Sequence, residues 1–172
     1  MGKKSTKENK NMYFQCREAA GLTRAQASEL LGFISESRIE KIESEKTPAT
    51  PEDVVAMAEA YRCPSLCNYY CTHECRIGKE SVQEIPLSSL SEISLGILAS
   101  LNALDRQRDR LIEIAEDGQI TEDELPDFAR IQDRLNKISL TVESLKLWMK
   151  NTAANGNFDR DKFAALLEDL HQ

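Results

Sequence analysis

Apolar residues fall at three- and four-residue intervals in short bursts from about residue 11 to residue 70. The pattern lapses between about residues 76 and 87 (RIGKESVQEIPL) and returns in two long amphipathic stretches and a shorter third. This spacing gathers apolar side chains on one helical face, whereas strand-like alternation is scarce. Punctuation divides the first part. Gly21 follows a first helix at a position suited to left-handed backbone. Thr23, with Gln26 three residues later, has the form of a capping box for a second helix over about residues 24–31, which stops at Gly32. Ser35 is the expected N-cap of a third helix reaching about residue 45. At residues 50–53 Thr50 caps a fourth helix, Pro51 takes its first position, and Glu52 and Asp53 suit its dipole. That helix runs to about Arg62, and Pro64 opens a short fifth.

Leu90 begins a helix expected to reach about Glu116, with Ile97, Leu101, Leu104, Leu111 and Ala115 at three–four spacing and Arg108 as a polar interruption. The next helix, over about residues 122–152, carries Phe128, Ile131, Leu135, Ile138, Val142, Leu145 and Met149 as a coiled-coil-type seam, and Thr121 with Glu124 caps its start. The two are expected to fold back as an antiparallel hairpin across residues 117–118. Leu98, Ile112, Leu140, Leu147 and Trp148 widen the apolar faces beyond what one hairpin buries, which suits two hairpins packed as a four-helix bundle. A last helix, over about residues 159–170, could cover one side. The expectation is therefore an all-α chain. It has a flexible basic arm over residues 1–10, a five-helix head over 11–75 with a Cys-rich end, and a linker over 76–87. A hairpin plus short C-terminal helix over 88–172 completes it as a dimerisation or partner module.

The length of 172 residues suits one medium or two small domains. No apolar run approaches the length of a membrane span, and the lysine-rich start (MGKKSTKENK) lacks the apolar centre of a signal peptide, so a cytoplasmic location is expected. The net charge of −7 is unevenly placed: residues 1–78 carry eleven Lys/Arg and eleven Asp/Glu, and residues 79–172 carry eleven and eighteen. The head is neutral, and a neutral domain can still face phosphates if its basic residues share one side.

Residues 16–61 resemble the phage-repressor or Xre-type helix-turn-helix family. The resemblance rests on Ala20, Gly21, Leu22 and Thr23, on Leu30, Leu31 and Gly32, on Ile39, Ile42 and Glu43, on Thr47 and Pro48, and on the Thr–Pro-capped fourth helix, in that order. It implies a lambda-repressor-like head, a double-stranded DNA partner and a transcriptional regulator; the wide apolar faces of the C-terminal helices, outside the resemblance, point to a homodimer formed through them. It also implies phosphate contact by Arg24, base-edge contact by Ser35, Glu36, Ser37 and Arg38, and further phosphate contacts by Lys41 and Lys46. Chemically, Arg38 can pair with guanine and Glu36 can accept from a cytosine amine. Leu22, Ala27, Leu30, Leu31, Ile39 and Ile42 would form the small core that fixes the helix angle. Two features depart from the family. The turn before the third helix is one residue longer, and Glu36, Glu40 and Glu43 repel phosphate unless turned inward or paired. An adaptor or antitoxin that uses the same fold for protein contact therefore stays open.

Cys63, Cys67, Cys71 and Cys75 recur every four residues, with His73 among them (CPSLCNYYCTHEC). Thiolates on one face could share Zn²⁺ or an iron–sulfur cluster. Along one continuous helix the four span about 18 Å, too far for a single ion, at the usual helical rise. A break near residues 72–73 would let Cys67, Cys71, Cys75 and either Cys63 or His73 converge. Three other readings remain: buried cysteines that pack as small hydrophobes, free thiols, and redox sensing by a reversible disulfide. The resemblance places aliphatic core residues where Cys16 and Cys63 stand. An odd cysteine count argues against a closed disulfide framework. No enzyme is expected: there is no Ser/His/Asp or Cys/His constellation, no phosphate-cradling glycine loop, and only two His. Residues 113–124 share the Gly, Ile and final Glu of a calcium loop, but Ala115 occupies a ligand position, and a capped helical turn explains the same residues.

Overall fold

The computed structural model describes residues 10–116, 118–157 and 159–170, with Arg160 described by its backbone alone. The arm expected over residues 1–10 lies outside them except for Lys10, and so does Asp117 of the expected hairpin turn. Among the described residues the protein is all-helical, with ten helices in chain order. They are α1 (Met12–Ala19), α2 (Arg24–Leu31), α3 (Glu36–Glu43), α4 (Pro51–Ala60), α5 (Ser65–His73), α6 (Arg76–Ser81), α7 (Leu90–Asp105), α8 (Arg108–Ala115), α9 (Leu125–Ala154) and α10 (Arg160–Asp169). By packing, the described residues up to 84 together with those from 149 onward form one compact unit, and the described residues of 85–148 form a second.

In the first unit, local chemistry sets the helix ends. Thr23 and Gln26 close a capping box on α2, Ser35 caps α3 through the Arg38 amide, and Thr50 with Asp53 closes a second box on α4. After α1, Gly21 takes φ +71° and the Leu22 amide reaches back to the Arg17 carbonyl, a Schellman ending. The same ending forms after α3 and α4 around Glu45 (φ 60°) and Arg62 (φ 53°), which hold left-handed backbone without being glycine. Tyr13, Cys16, Ala27, Leu31, Ile34, Ile39, Ile42, Val54, Met57, Tyr61 and Leu66 belong to one core.

Two expectations for this unit change. Leu30 is 60% exposed, because the inward face of α2 is Ala27 and Leu31, one turn apart. Its place is taken by Ile34, 1% exposed, which the longer turn delivers to the core while Phe33 stays outside and Ser28 Oγ donates to the Ile34 carbonyl at 2.9 Å. The residues expected as a linker begin instead with α6. Gly78 allows this, since a Cβ there would lie 2.8 Å from the Cys71 carbonyl carbon; only a bare glycine lets α6 approach the α5 backbone this closely. The described side chains of α10 are all exposed.

In the second unit the expected long helix is two, α7 and α8, broken at Arg106 and Gln107 ahead of the polar position Arg108. They run antiparallel to α9. Gly96 on α7 approaches Thr141 so closely that a Cβ at the glycine would lie 3.2 Å from the Thr141 Cγ2, while Arg110 on α8 donates to Asp127 at 2.9 Å near the start of α9. Glu124 is used as a cap, accepting from the Thr121 amide and hydroxyl, as the capped-turn reading requires. The α9 seam is not fully inward: Ile131 is buried, but Leu135 and Val142 are 46% and 39% exposed.

Candidate nucleic-acid interface

α2, the four-residue turn from Gly32 to Ser35, and α3 form a helix-turn-helix on the core of α1, α4 and α5. Ile39 and Ile42 are the inward face of α3, at 0% and 2% exposure. Glu43 lies one turn after Ile39, so it is carried to the same face and is itself buried. Its carboxylate is met by two arginines. Arg17 of α1 approaches through Nε and through Nη2 at 3.0 Å, and Arg24 of α2 donates its Nε at 2.8 Å. Arg17 also donates to the Leu22 carbonyl at 2.6 Å. Burial pulls the Arg17 guanidinium down, but the hydrogen bonds and charge of Glu43 outweigh it and keep the cation. The charge that would have repelled DNA is thus the internal anchor of the helix.

Arg38 is likewise engaged inside the fold. Its guanidinium pairs with Asp53 of α4 through Nε at 3.3 Å and through Nη2, and the hydrogen bond to Asp53 chiefly raises its affinity for the proton. Burial pushes the Asp53 carboxyl up, yet hydrogen bonds from Arg38 and Thr50 prevail and hold it below the usual range.

The outward side chains at the start and middle of α3 are therefore Glu36, Ser37, Glu40 and Lys41, all exposed, with Ser35 exposed at the cap. Lys46 is exposed just beyond the helix. Of the residues the sequence offers for DNA, the structure brings Ser35, Glu36, Ser37 and Lys41 to one outward surface, sets Lys46 beyond it, and ties Arg24 and Arg38 to carboxylates. The sequence gives no role to Arg17 and places Asp53 only at the helix dipole. The signals were present: Arg17 lies one turn after Tyr13 on the core face of α1, and Asp53 is the third residue of a capped helix, where its carboxylate is fixed.

The cysteine-and-histidine set does not converge. α5 runs unbroken to His73 with Cys67 and Cys71 one turn apart, while Cys75 caps α6, its sulfur accepting the Gly78 amide at 3.4 Å. Cys63 is joined to Cys16 in a disulfide. His73 stacks on Tyr69 at 4.5 Å, with Nδ1 2.9 Å from the Thr72 hydroxyl. Among the described residues no group of three or more His, Cys, Asp or Glu is placed to hold a metal ion. The helix break falls where a shared site would need it, but it turns Cys75 toward the α6 amides. The odd count proves compatible with one disulfide and three free thiols, Cys67, Cys71 and Cys75.

Residues 15–72 match the family described as a helix-turn-helix domain, so the head is a helix-turn-helix domain by sequence as well as by geometry. No curated protein and no solved structure matches the chain. Among the described residues, no helix is long and apolar enough to cross a membrane.

Proposed function

We propose that the protein is a sequence-specific DNA-binding transcriptional regulator of Xre type, acting in the cytoplasm as a dimer and without catalytic activity. The observation that carries this reading is the helix-turn-helix within residues 15–72, whose third helix holds its apolar face inward and offers Ser35, Glu36, Ser37 and Lys41 outward. Serine hydroxyls and a carboxylate can read base edges, with Glu36 suited to a cytosine amine; Lys41 and Lys46 are the phosphate contacts. Dimerisation is supported by the second unit, which leaves Leu98, Leu101, Leu135 and Val142 exposed on its helices. Paired heads would read two half-sites about one helical turn apart.

One observation favours a second reading. With Arg24 and Arg38 ion-paired, the outward face of α3 carries two acids, Glu36 and Glu40, against one Lys41. Such a surface also suits a basic protein partner, as in an adaptor or antitoxin. Selection from a random duplex library, followed by fluorescence anisotropy on the winner, separates the two. A two-part site whose binding weakens with Ser37→Ala and Lys41→Ala supports the regulator. Equal, weak binding to every duplex, unaltered by both substitutions, supports protein contact. Sedimentation of Leu98→Glu and Leu135→Glu as monomers, where the unaltered protein is a dimer, would establish the pairing face.

A further inference from the structure

Cys16 and Cys63 have no part in the surface just described. Cys16 lies on the core face of α1 at 4% exposure. Cys63 stands half-buried in the connection from α4 to α5, directly after the left-handed Arg62. Their Cα atoms are 5.9 Å apart across 47 residues of sequence, within the range a disulfide spans. Both ends of this bridge lead to the anchor of α3. The residue after Cys16 is Arg17, which grips Glu43. Two residues before Cys63 is Tyr61, 3% exposed, whose hydroxyl is pushed up to about 12 by burial and then by the Glu43 charge.

We infer that the Cys16–Cys63 bridge is a reversible disulfide that sets how firmly α3 is held, and through α3 the affinity of the head for DNA. The last step rests on the DNA-binding reading above. A low-molecular-weight disulfide such as oxidised glutathione is the co-reactant. In the reduced head Cys63, the more exposed of the two, gives up its proton and its thiolate attacks the small disulfide. One S–S bond breaks, a mixed disulfide forms on Cys63, and one small thiolate leaves. Cys16, deprotonated in turn, attacks the Cys63 sulfur, closes the bridge and expels the second small thiolate. The two protons end on the two small thiols, so two protein thiols are oxidised as one small disulfide is reduced. Excess reduced glutathione runs the same steps backwards. The Ser65 hydroxyl, 3.4 Å from Cys63 Sγ, can donate to the thiolate that forms there. Cys67, one helical turn along, competes poorly for Cys63, because burial and the neighbouring Cys71 raise its thiol.

The test equilibrates the full chain in glutathione buffers from reducing to oxidising, then traps thiols by alkylation for intact and peptide mass. Hydrogen exchange of the α3 amides and anisotropy with the selected duplex are read on the same samples. The inference expects five alkylated cysteines at the reducing end and three at the oxidising end, with a peptide linking Cys16 to Cys63. Reduction should speed α3 exchange about tenfold, as expected when a local constraint is released. It should also weaken duplex binding about fivefold or more, the usual scale of coupling between sites. Cys63→Ser should behave as the reduced form in every buffer; if it fails to fold, the unaltered protein across the same buffers decides. Five alkylated cysteines throughout, a bridge mapped to another pair, or identical α3 exchange in both states would overturn the inference. Equal duplex affinity in the two states overturns its regulatory step. A redox-dependent change in α3 with no duplex bound in either state upholds the switch and removes the DNA-binding reading instead.

Discussion

The Arg38 guanidinium holds the Asp53 carboxylate from both of its ends, with Nε 3.3 Å from Oδ1 and Nη2 on Oδ2, while Asp53 also accepts the Thr50 amide at 2.9 Å. The most obvious base-reading side chain of α3 is therefore tied to the start of α4. Its side chain remains 35% exposed, so a base edge can compete with the carboxylate for it.

Replacing Asp53 with Asn keeps an oxygen for the Thr50 cap and removes the charge that holds Arg38. Duplex affinity is expected to rise several-fold as Arg38 is released. Stability should fall by about 1.5–3 kcal/mol, the scale of a hydrogen bond to a charged group. Anisotropy and urea unfolding measure the two effects separately. Unchanged affinity alongside lowered stability would show that Arg38 serves the fold alone.

The same pair gives a direction with pH. Because Asp53 titrates below its unfolded value, its contribution to stability is complete above the unfolded carboxylate range, about pH 4, and disappears as pH falls through the lower folded value. Urea midpoints measured downward from pH 6 should decline more steeply below about pH 4 in the unaltered protein than in Asp53→Asn.

Glu43 and Arg24 should respond very differently to removal. Glu43→Gln leaves the buried Arg17 without a counter-charge and is expected to cost about 3–5 kcal/mol. Arg24 is one-third exposed, and Glu43 keeps Arg17 when it is lost; Arg24→Ala should cost no more than about 1 kcal/mol. Equal losses from the two would mean that the anchor is shared evenly between the arginines.

Gly78→Ala tests the crossing of α5 and α6. The added methyl meets backbone atoms of Cys71, which cannot swing aside as a side chain end can. A loss of about 3 kcal/mol or more is expected, above the usual range for overpacking. Hydrogen exchange should show α6 released while α2 and α3 stay protected.

Salt dependence counts the cations that reach phosphate. If Lys41 and Lys46 are the contacts and Arg24 and Arg38 stay ion-paired, the slope of log K against log salt should be about −2 per head. A slope near −4 would mean that both arginines leave their carboxylates on binding.

The order and ends of the head helices were legible in the chain because they depend on neighbours in sequence. Thr23 with Gln26, Ser35, and Thr50 with Pro51 and Asp53 mark helix starts by bonds spanning three residues, and Gly21 and Gly32 mark ends by backbone freedom. The all-α class and the hairpin followed from apolar spacing for the same reason. Tertiary structure alone decided what each charged or sulfur-bearing side chain does, since that depends on partners far along the chain. Glu43 turned from a repulsive group into an anchor because Arg17, 26 residues away, meets it in the core. Arg38 became an internal ion pair because α4 brings Asp53 across 15 residues. Cys63 left the evenly spaced series because packing of α1 against α5 set Cys16 beside it, and the regular four-residue spacing that suggested a shared site carries no record of that distant partner.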